Sequence, residues 1–357
     1  MRRVLAGAAA LAGGALLVAG CSSSSSSSSS AAAGGSSPAS SGGASSAAAA
    51  PVTVRLGYLA NITHAPALIG VKDGYFTKEL GSAGTVKTTV FTSGTQETTA
   101  ILAGQLDAAY VGPNPAINAW QKSSGAAIKV ISGVATGGAS VVVKPSVTSV
   151  SQLKGQSLAS PSLGNTQDVA LRYWLKQNGL TTSTTGTGDV SIRPTTTNSA
   201  AVLEFKSGQI AGASEPSPYD VEMVQDGGKV LLSEPGVTTV LMVTQSFLSA
   251  HPAVVADLLK ANLDALNFIK SNPAQAQTDA NDQLGAYTGK PLSSKVIGPA
   301  FKEITFTDDP DATSLTQDAQ EAVGVGLLKP VNLNGIFDLA PLNSILSAGD
   351  HPTVSAG

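Results

Sequence analysis

Apolar and polar positions alternate over residues 52–58 (VTVRLGY), the pattern of a half-buried opening strand. An apolar, β-branched run at 86–91 predicts a short buried strand that breaks at Thr92-Ser93-Gly94. Ser93 stands where an N-cap would, with Gln96 at capping-box spacing, and Gly104 is placed to stop the helix that follows. Residues 106–111 read as the next strand, ended by Gly112-Pro113. Asn114 and Pro115 then offer an N-cap and an N1 proline for a further helix. These two strand–loop–helix units predict two helix N-termini at the same carboxyl edge of a parallel sheet. That is where open α/β sheets bind ligands and where free N–H groups favour anions.

The pattern continues on both sides of this stretch. Residues 59–63 form a loop before a helix from about Ala65, with Thr63 as candidate cap and Asp73-Gly74 closing it. Strands are predicted at 127–132, 140–143 and 157–159. The loop 160–167 (SPSLGNTQ) leads to an amphipathic helix over 168–177, stopped by Asn178-Gly179, so Gly164, Asn165 and Thr166 would crown a third helix N-terminus. Residues 190–220 repeat the logic of 86–116. A strand runs into a Thr/Ser/Asn loop and a helix, Gly208-Gln209-Ile210 matches Gly104-Gln105-Leu106, and Pro216-Ser217-Pro218 echoes Pro113-Asn114-Pro115. A repeat of this length fits two similar α/β lobes facing one cleft rather than a solenoid. A strand over 237–244 follows. Helical patterns then run from 249–252 to Lys270, from Asn272-Pro273, and near 294–302, 314–328 and 339–346.

The front of the chain does not fit this scheme. Arg2 and Arg3 precede an apolar run at 4–18, and Val18-Ala19-Gly20-Cys21 has the shape of a lipobox. The run falls short of the roughly 20 residues needed to span a bilayer. Residues 1–20 are therefore expected to be a lipoprotein signal peptide, with Cys21, the only cysteine, as the lipidated N-terminus. Residues 21–50 are nearly all Ser, Ala and Gly after Cys21, a composition that cannot bury apolar area and predicts a disordered tether. Removal of Arg2 and Arg3 takes the formal charge from −3 to −5. With no basic cluster and 4% aromatic residues, nothing points to nucleic acid.

Candidate chemistry is sparse. His64 stands at the mouth of its helix, where it either touches a ligand or is a bystander. Glu215 follows a small-residue strand and precedes Pro216. Its carboxylate either projects into the cleft to read a positive group on the ligand, or bonds the backbone of its own turn, or pairs with Arg193 or Lys206. No Ser–His–Asp spacing, His-rich metal cluster or Walker loop is visible.

Together the segments LGYLANITHAPALIGVKDGYF (56–76), LAGQLDAAYVGPNPAINAW (102–120), LKGQSLASPSLGNTQDVALRYWLKQNGL (153–180), SGQIAGASEPSPYD (207–220) and SFLSAHPAVVADLL (246–259) resemble the solute-binding lipoproteins of the nitrate/sulfonate/taurine class of ABC importers. The resemblance implies an α/β, two-lobed periplasmic-binding-protein-like fold (type II, venus flytrap) with a helical C-terminal extension. Lobe I would comprise 51–140 and 238–350, and lobe II 141–237. It implies a monomer anchored extracytoplasmically at Cys21, which captures a small anionic or zwitterionic ligand such as a sulfonate or taurine and hands it to membrane permease subunits, with no cofactor, no metal and no catalysis. Nitrate and a pyrimidine-type thiamine precursor are the alternative ligands. An enzyme of this fold, such as a desulfinase, is the alternative class, but such enzymes rely on cysteines and the only one here is Cys21. The implied ligand positions are Tyr58, Asn61, His64, Ser93, Gly94, Thr95, Gly112, Pro113, Asn114, Gly164, Asn165, Thr166 and Glu215. Ser217 and Tyr219 surround Pro218 where many members of the class carry Trp.

Overall fold

The computed structural model describes residues 50–356. The predicted signal peptide, Cys21 and the tether up to residue 49 lie outside the described residues. The chain opens with β1 (Val52–Leu59), a 3-10 turn (Ile62–His64), α1 (Ala65–Lys72), α2 (Tyr75–Leu80), β2 (Gly84–Phe91), α3 (Gly94–Leu102), β3 (Ala108–Val111), α4 (Pro113–Lys122) and β4 (Ile128–Gly137). It continues through β5 (Ala139–Val143), a 3-10 turn (Val150–Leu153), β6 (Ser157–Ser160), α5 (Thr166–Gln177), β7 (Ser191–Pro194), α6 (Asn198–Ser207), β8 (Gly212–Pro216), α7 (Tyr219–Gln225) and β9 (Lys229–Ser233). The last part holds β10 (Val237–Thr244), α8 (Gln245–Ala250), α9 (Pro252–Ser271), α10 (Pro273–Thr288), α11 (Ser294–Lys302), β11 (Ile304–Phe306), α12 (Ala312–Gly324) and α13 (Ala340–Ala348).

Two sheets organise these elements, one of six strands in the order β11-β4-β10-β3-β1-β2 and one of five in the order β7-β6-β8-β5-β9. In the first, β1 pairs parallel with β2 and β3, and β10 runs antiparallel to β3. In the second, β6 pairs parallel with β7 and β8, and β5 runs antiparallel to β8. The block β2-β1-β3-β10 thus recurs as β7-β6-β8-β5, which is the topological content of the repeat seen between residues 86–116 and 190–220.

Strand periodicity decides where each sheet puts its core. In the first lobe Val54, Leu56 and Tyr58 of β1 pack with α1, α2, α9 and α10, whereas Ala109 and Val111 of β3 face Ile117 and Trp120 of α4 and Leu315 of α12. In the second lobe Val141 and Val143 meet Leu171 and Leu175 of α5, and Val142 and Ala213 meet Phe205 of α6. The chain crosses between the sheets at Gly138, where Gly137 and Gly138 both have φ +70°, a region that only glycine enters cheaply. It returns through residues 234–236. The two crossings are tied by Glu234 N–H to the Ala139 carbonyl and Gly137 N–H to the Gly236 carbonyl, both 2.9 Å.

Several local expectations need correction. α4 begins at Pro113 with Gly112 as N-cap, not at Pro115 with Asn114 as cap, because Pro113 already has the fixed φ of a first helical position. α5 begins at Thr166 rather than 168, because Asn165 Oδ1 accepts the Asp168 N–H at 3.0 Å and caps it earlier. Ser93 is the N-cap of α3, but its hydroxyl makes no bond to the helix amides and no capping box forms. Thr63 does not cap α1; a 3-10 turn intervenes and His64 takes that place. The short α2, β9 and β11 were not expected from the sequence.

Candidate functional site

The turns that leave the carboxyl ends of the parallel strands converge between the two sheets. They enclose a cavity of about 20 Å³, room for only one or two water molecules at about 10–15 Å³ each. Its walls are Leu59, Asn61, Thr63 and His64 after β1, Thr92, Ser93 and Gly94 at the start of α3, and Gly112 and Pro115 of α4. From the other side come Pro161, Asn165, Thr166 and Gln167 around the start of α5, Asn198 at the start of α6, Pro216 of β8, and Thr238 of β10.

Four helix N-termini therefore meet at one point. At α3 and α4 no side chain caps the amides; α3 offers the N–H groups of Gly94 and Thr95, and α4, with prolines at 113 and 115, offers that of Asn114 alone. At α5 and α6 the caps Asn165 and Thr197 take one amide each, from Asp168 and Ala200. No lysine, arginine, aspartate or glutamate is among the lining residues. His64 adds no charge, since burial pushes its pKa down to about 3. Its Nδ1 accepts the Leu59 N–H at 3.3 Å, which fixes the neutral tautomer. The site is electropositive through dipoles alone, and Thr166 Oγ1 is buried in it without a hydrogen-bond partner.

Of the residues expected here, Asn61, His64, Ser93, Gly94, Gly112, Asn165 and Thr166 line the cavity. Tyr58 does not line it; it is fully buried, its hydroxyl 2.5 Å from that of Tyr287. Thr95 bridges the lobes instead, donating from Oγ1 to Ser162 Oγ at 3.2 Å. Pro113 does not line the cavity. Asn114 turns away and donates to the Asp318 carbonyl at 3.1 Å. Gly164 gives its N–H to Asp168 Oδ2 at 2.9 Å. Glu215 does not line the cavity either; Pro216 does. The Glu215 carboxyl is fully buried and neither oxygen has a hydrogen-bond partner. Arg193 and Lys206, its candidate partners, pair with Glu204 and Asp226. Thr238 and Asn198 were missed. Thr238 reaches the cavity through register shifts between β10 and β4, which nothing in the sequence marks. Asn198 could have been found, because it occupies in α6 the place that Gly94 holds in the repeated α3.

The lobes touch around this point. Ile62 N–H bonds the Ser217 carbonyl and Tyr219 Oη the Ala60 carbonyl, each at 2.9 Å. The cleft widens on both sides. Past Leu59, Thr92 and Asn198 it opens into a cavity of about 490 Å³ walled by Phe91, Leu203, Tyr219 and Tyr287, with Lys290 at its edge. Past Thr166 and Thr238 it opens into a second, also about 490 Å³.

Buried carboxyl groups stand behind the cleft, and they set a pH dependence. Burial, with the Glu303 carboxylate adding to it and the Ser217 hydroxyl opposing it, raises Asp220 to about 7. Burial likewise raises Glu234 to about 7 against the opposing bond from Ser214 Oγ. Glu215 is held well above the usual range by burial, then by Asp220 and Glu234. The folded chain thus keeps protons that the unfolded chain releases, so these groups stabilise it fully below about pH 4 and less as pH rises through about 7. The neutral His64 works in the opposite sense, but only below its ordinary value of 6.5. Between pH 6.5 and 8 stability is therefore expected to fall by at least roughly 1–2 kcal/mol, the share of Asp220 and Glu234 alone at about 1.4 kcal/mol per pKa unit, with Glu215 adding to it. Glu234→Gln should shrink that fall. Denaturant titrations at the two pH values check it, and a stability that rises with pH contradicts it.

A model of the NMT1-like family matches residues 47–281. No curated protein sequence matches closely enough to carry an argument. Among solved structures, the alkanesulfonate-binding protein SsuA from Xanthomonas axonopodis pv. citri, bound to MOPS, superposes with a TM-score of 0.68 at 16% identity, over 82% of this chain and 100% of that one. The periplasmic nitrate-binding protein NrtA from Synechocystis PCC 6803 gives 0.72 at 14% identity, over 85% and 90%. DszB, in the form of its C27S mutant in complex with biphenyl-2-sulfinic acid, gives 0.60 at 15% identity, over 83% and 99%. The two-lobed α/β architecture is that of the periplasmic binding proteins.

Proposed function

Because this chain belongs to the NMT1-like family, we propose that it is the extracytoplasmic solute-binding component of an ABC importer, which closes its two lobes around a small oxyanion and delivers it to the permease. The observation that carries the reading is the meeting of four helix N-termini at a cleft whose lining contains no ionised side chain. Aligned backbone dipoles and hydroxyls hold a single dispersed negative charge without the strong ion pair that would hinder release. Sulfonates fit this chemistry best: three equivalent oxygens can accept from three of the N-termini at once. The organic remainder would pass into one of the flanking cavities. Solved proteins of this architecture that bind an alkanesulfonate-class ligand and nitrate support the same class.

Catalysis has little support at this site. The His64 Nδ1 lone pair is taken by the Leu59 N–H, and the Thr63 hydroxyl donates to Asn61 Oδ1 at 2.9 Å, so no hydroxyl is paired with a free base. The only cysteine is Cys21. We also assign Cys21 as the lipidated anchor, with residues 1–20 removed; a Cys21→Ala chain that remains fully membrane-bound would contradict this.

A thermal-shift panel of taurine, alkanesulfonates, nitrate, a pyrimidine and aromatic carboxylates tests the ligand class. A ligand that binds only the folded chain stabilises it by about 2.7 kcal/mol at a hundredfold excess over Kd. The oxyanions should shift the melting temperature. A shift from a neutral ligand alone would overturn the reading.

A further inference from the structure

The cavity beyond Thr166 and Thr238 has a chemistry opposite to that of the cleft. It lies between α5, which supplies Tyr173 and Trp174, and α12, which supplies Asp318 and Glu321; Glu234 closes it from the crossing between the sheets. We infer that this cavity is a recognition site for an organic cation carrying N–H donors, an alkylammonium or alkylguanidinium group.

Three observations converge. The carboxyl groups have no cationic partner: among the described residues no lysine or arginine forms an ion pair with Glu234, Asp318 or Glu321. The nearest ammonium on α5, that of Lys176, is committed to the Gly324 carbonyl at 2.5 Å. Second, Asp318 Oδ2 has neither accessible surface nor a hydrogen-bond partner, and Thr166, 5% exposed, lines the same cavity with its Oγ1 unpartnered. A buried acceptor without a donor is unfavourable, and an N–H group of a guest would satisfy it. Third, the aromatic walls suit a cation with an organic body, since ring faces attract ammonium and guanidinium groups.

The electrostatics agree. Asp318 is pushed well above the usual carboxylate range by burial, then by the neighbouring carboxyl groups of Glu321, Glu234 and Asp311. A cation there relieves that repulsion and lets the carboxylates ionise. A bare metal ion is a poorer occupant. The volume of about 490 Å³ far exceeds an ion, and among the described residues no group of three or more His, Cys, Asp or Glu is placed to hold a metal.

Calorimetry of the mature chain with butylguanidinium, butylammonium and the uncharged isostere N-butylurea tests the inference. The two cations should bind, and N-butylurea should bind at least tenfold more weakly. Asp318→Asn and Tyr173→Leu should each weaken the cations tenfold or more. Should Asp318→Asn fail to fold, Glu321→Gln, a half-buried helix position, should still weaken them severalfold. No binding of either cation, equal binding of the urea, or affinities unchanged in the folded variants would overturn the site. No oxyanion is present in this experiment, so its failure leaves the oxyanion reading standing, and failure of the sulfonates leaves this one standing.

Discussion

Gly112→Ala is expected to weaken oxyanion capture by roughly 5- to 150-fold while leaving the melting temperature of the free chain nearly unchanged. Gly112 is the N-cap of α4, with φ −66° and ψ 156°, a conformation open to any residue, so alanine brings no backbone strain. The obstacle lies across the cleft. A Cβ at this position would stand 2.5 Å from Thr166 Oγ1, the first helical residue of α5 in the other lobe. Contact that close forces a shift, and Thr166 sits on a short side chain at a capped helix start that cannot retreat far. Overpacking of this kind costs about 1–3 kcal/mol, and it is felt only when the lobes close, so it falls on affinity rather than on folding; at about 1.4 kcal/mol per tenfold this gives the stated range. Calorimetry with an alkanesulfonate checks it. Thr166→Ala removes the clashing oxygen but also a hydroxyl donor to the ligand, so the double variant should lose less affinity than the sum of the two single losses, a coupling that a double-mutant cycle reads directly. Equal affinity in Gly112→Ala and the parent would mean that the lobes do not meet there when ligand is bound.

Removing the Arg172 side chain should cost the chain about 3–5 kcal/mol, the range for stranding one partner of a buried pair. Arg172 and Asp168 are 1% and 0% exposed, one turn apart on α5. The guanidinium donates from Nε to Asp168 Oδ2 at 2.8 Å and from Nη2 to Oδ1 at 3.0 Å, while Nη1 reaches the Ser183 carbonyl. The same carboxylate accepts from Ser160 Oγ at 2.7 Å and Gly164 N–H at 2.9 Å. This network fixes the loop 160–165 and the N-terminus of α5, and with it Asn165 and Thr166 at the cleft. Arg172→Ala should therefore lower stability and affinity together. Replacing both charges, Asp168→Leu with Arg172→Met, should recover much of the stability, but not the affinity, because Gly164 and Ser160 lose their acceptor. Denaturant titration and calorimetry on the three variants separate these effects; a single Arg172→Ala variant within 1 kcal/mol of the parent, roughly the cost of an ordinary substitution, contradicts the account.

Much of this was legible in the chain because the governing signals are local. Alternation at 52–58, the Gly-Pro break at 112–113 and the amphipathic run ending at Gln177 each belong to one element, and the helix 294–302 has the expected bounds. The echo between Gly104-Gln105-Leu106 and Gly208-Gln209-Ile210 carried the topology, since both mark the return into an inner strand beside the first strand of its sheet. Side-chain direction was not legible. Glu215 follows the right strand but does not line the cleft, and only the pairing register, Ser140 opposite Glu215, says which neighbours it meets. Asn114 was read as a cap, yet its amide goes to the Asp318 carbonyl, 204 positions away in sequence. Long-range partners of this kind leave no trace in spacing or periodicity. The acidic wall between α5 and α12 was invisible for the same reason: Tyr173, Glu234 and Asp318 are unremarkable until the fold brings them together.

The claim that a small oxyanion is held between the lobes by helix N-termini is tested most directly by a crystal structure of the chain grown with 2-bromoethanesulfonate, whose bromine marks the organic end by anomalous scattering. Sulfonate oxygens are expected within hydrogen-bonding distance of Thr166 Oγ1, of the first amides of α3 and of the Asn114 amide of α4, whose neighbours Pro113 and Pro115 have none, with the bromine in one of the two flanking cavities. A sulfonate bound outside the cleft, or paired with a lysine or arginine at the surface while the cleft residues stay uninvolved, would contradict it.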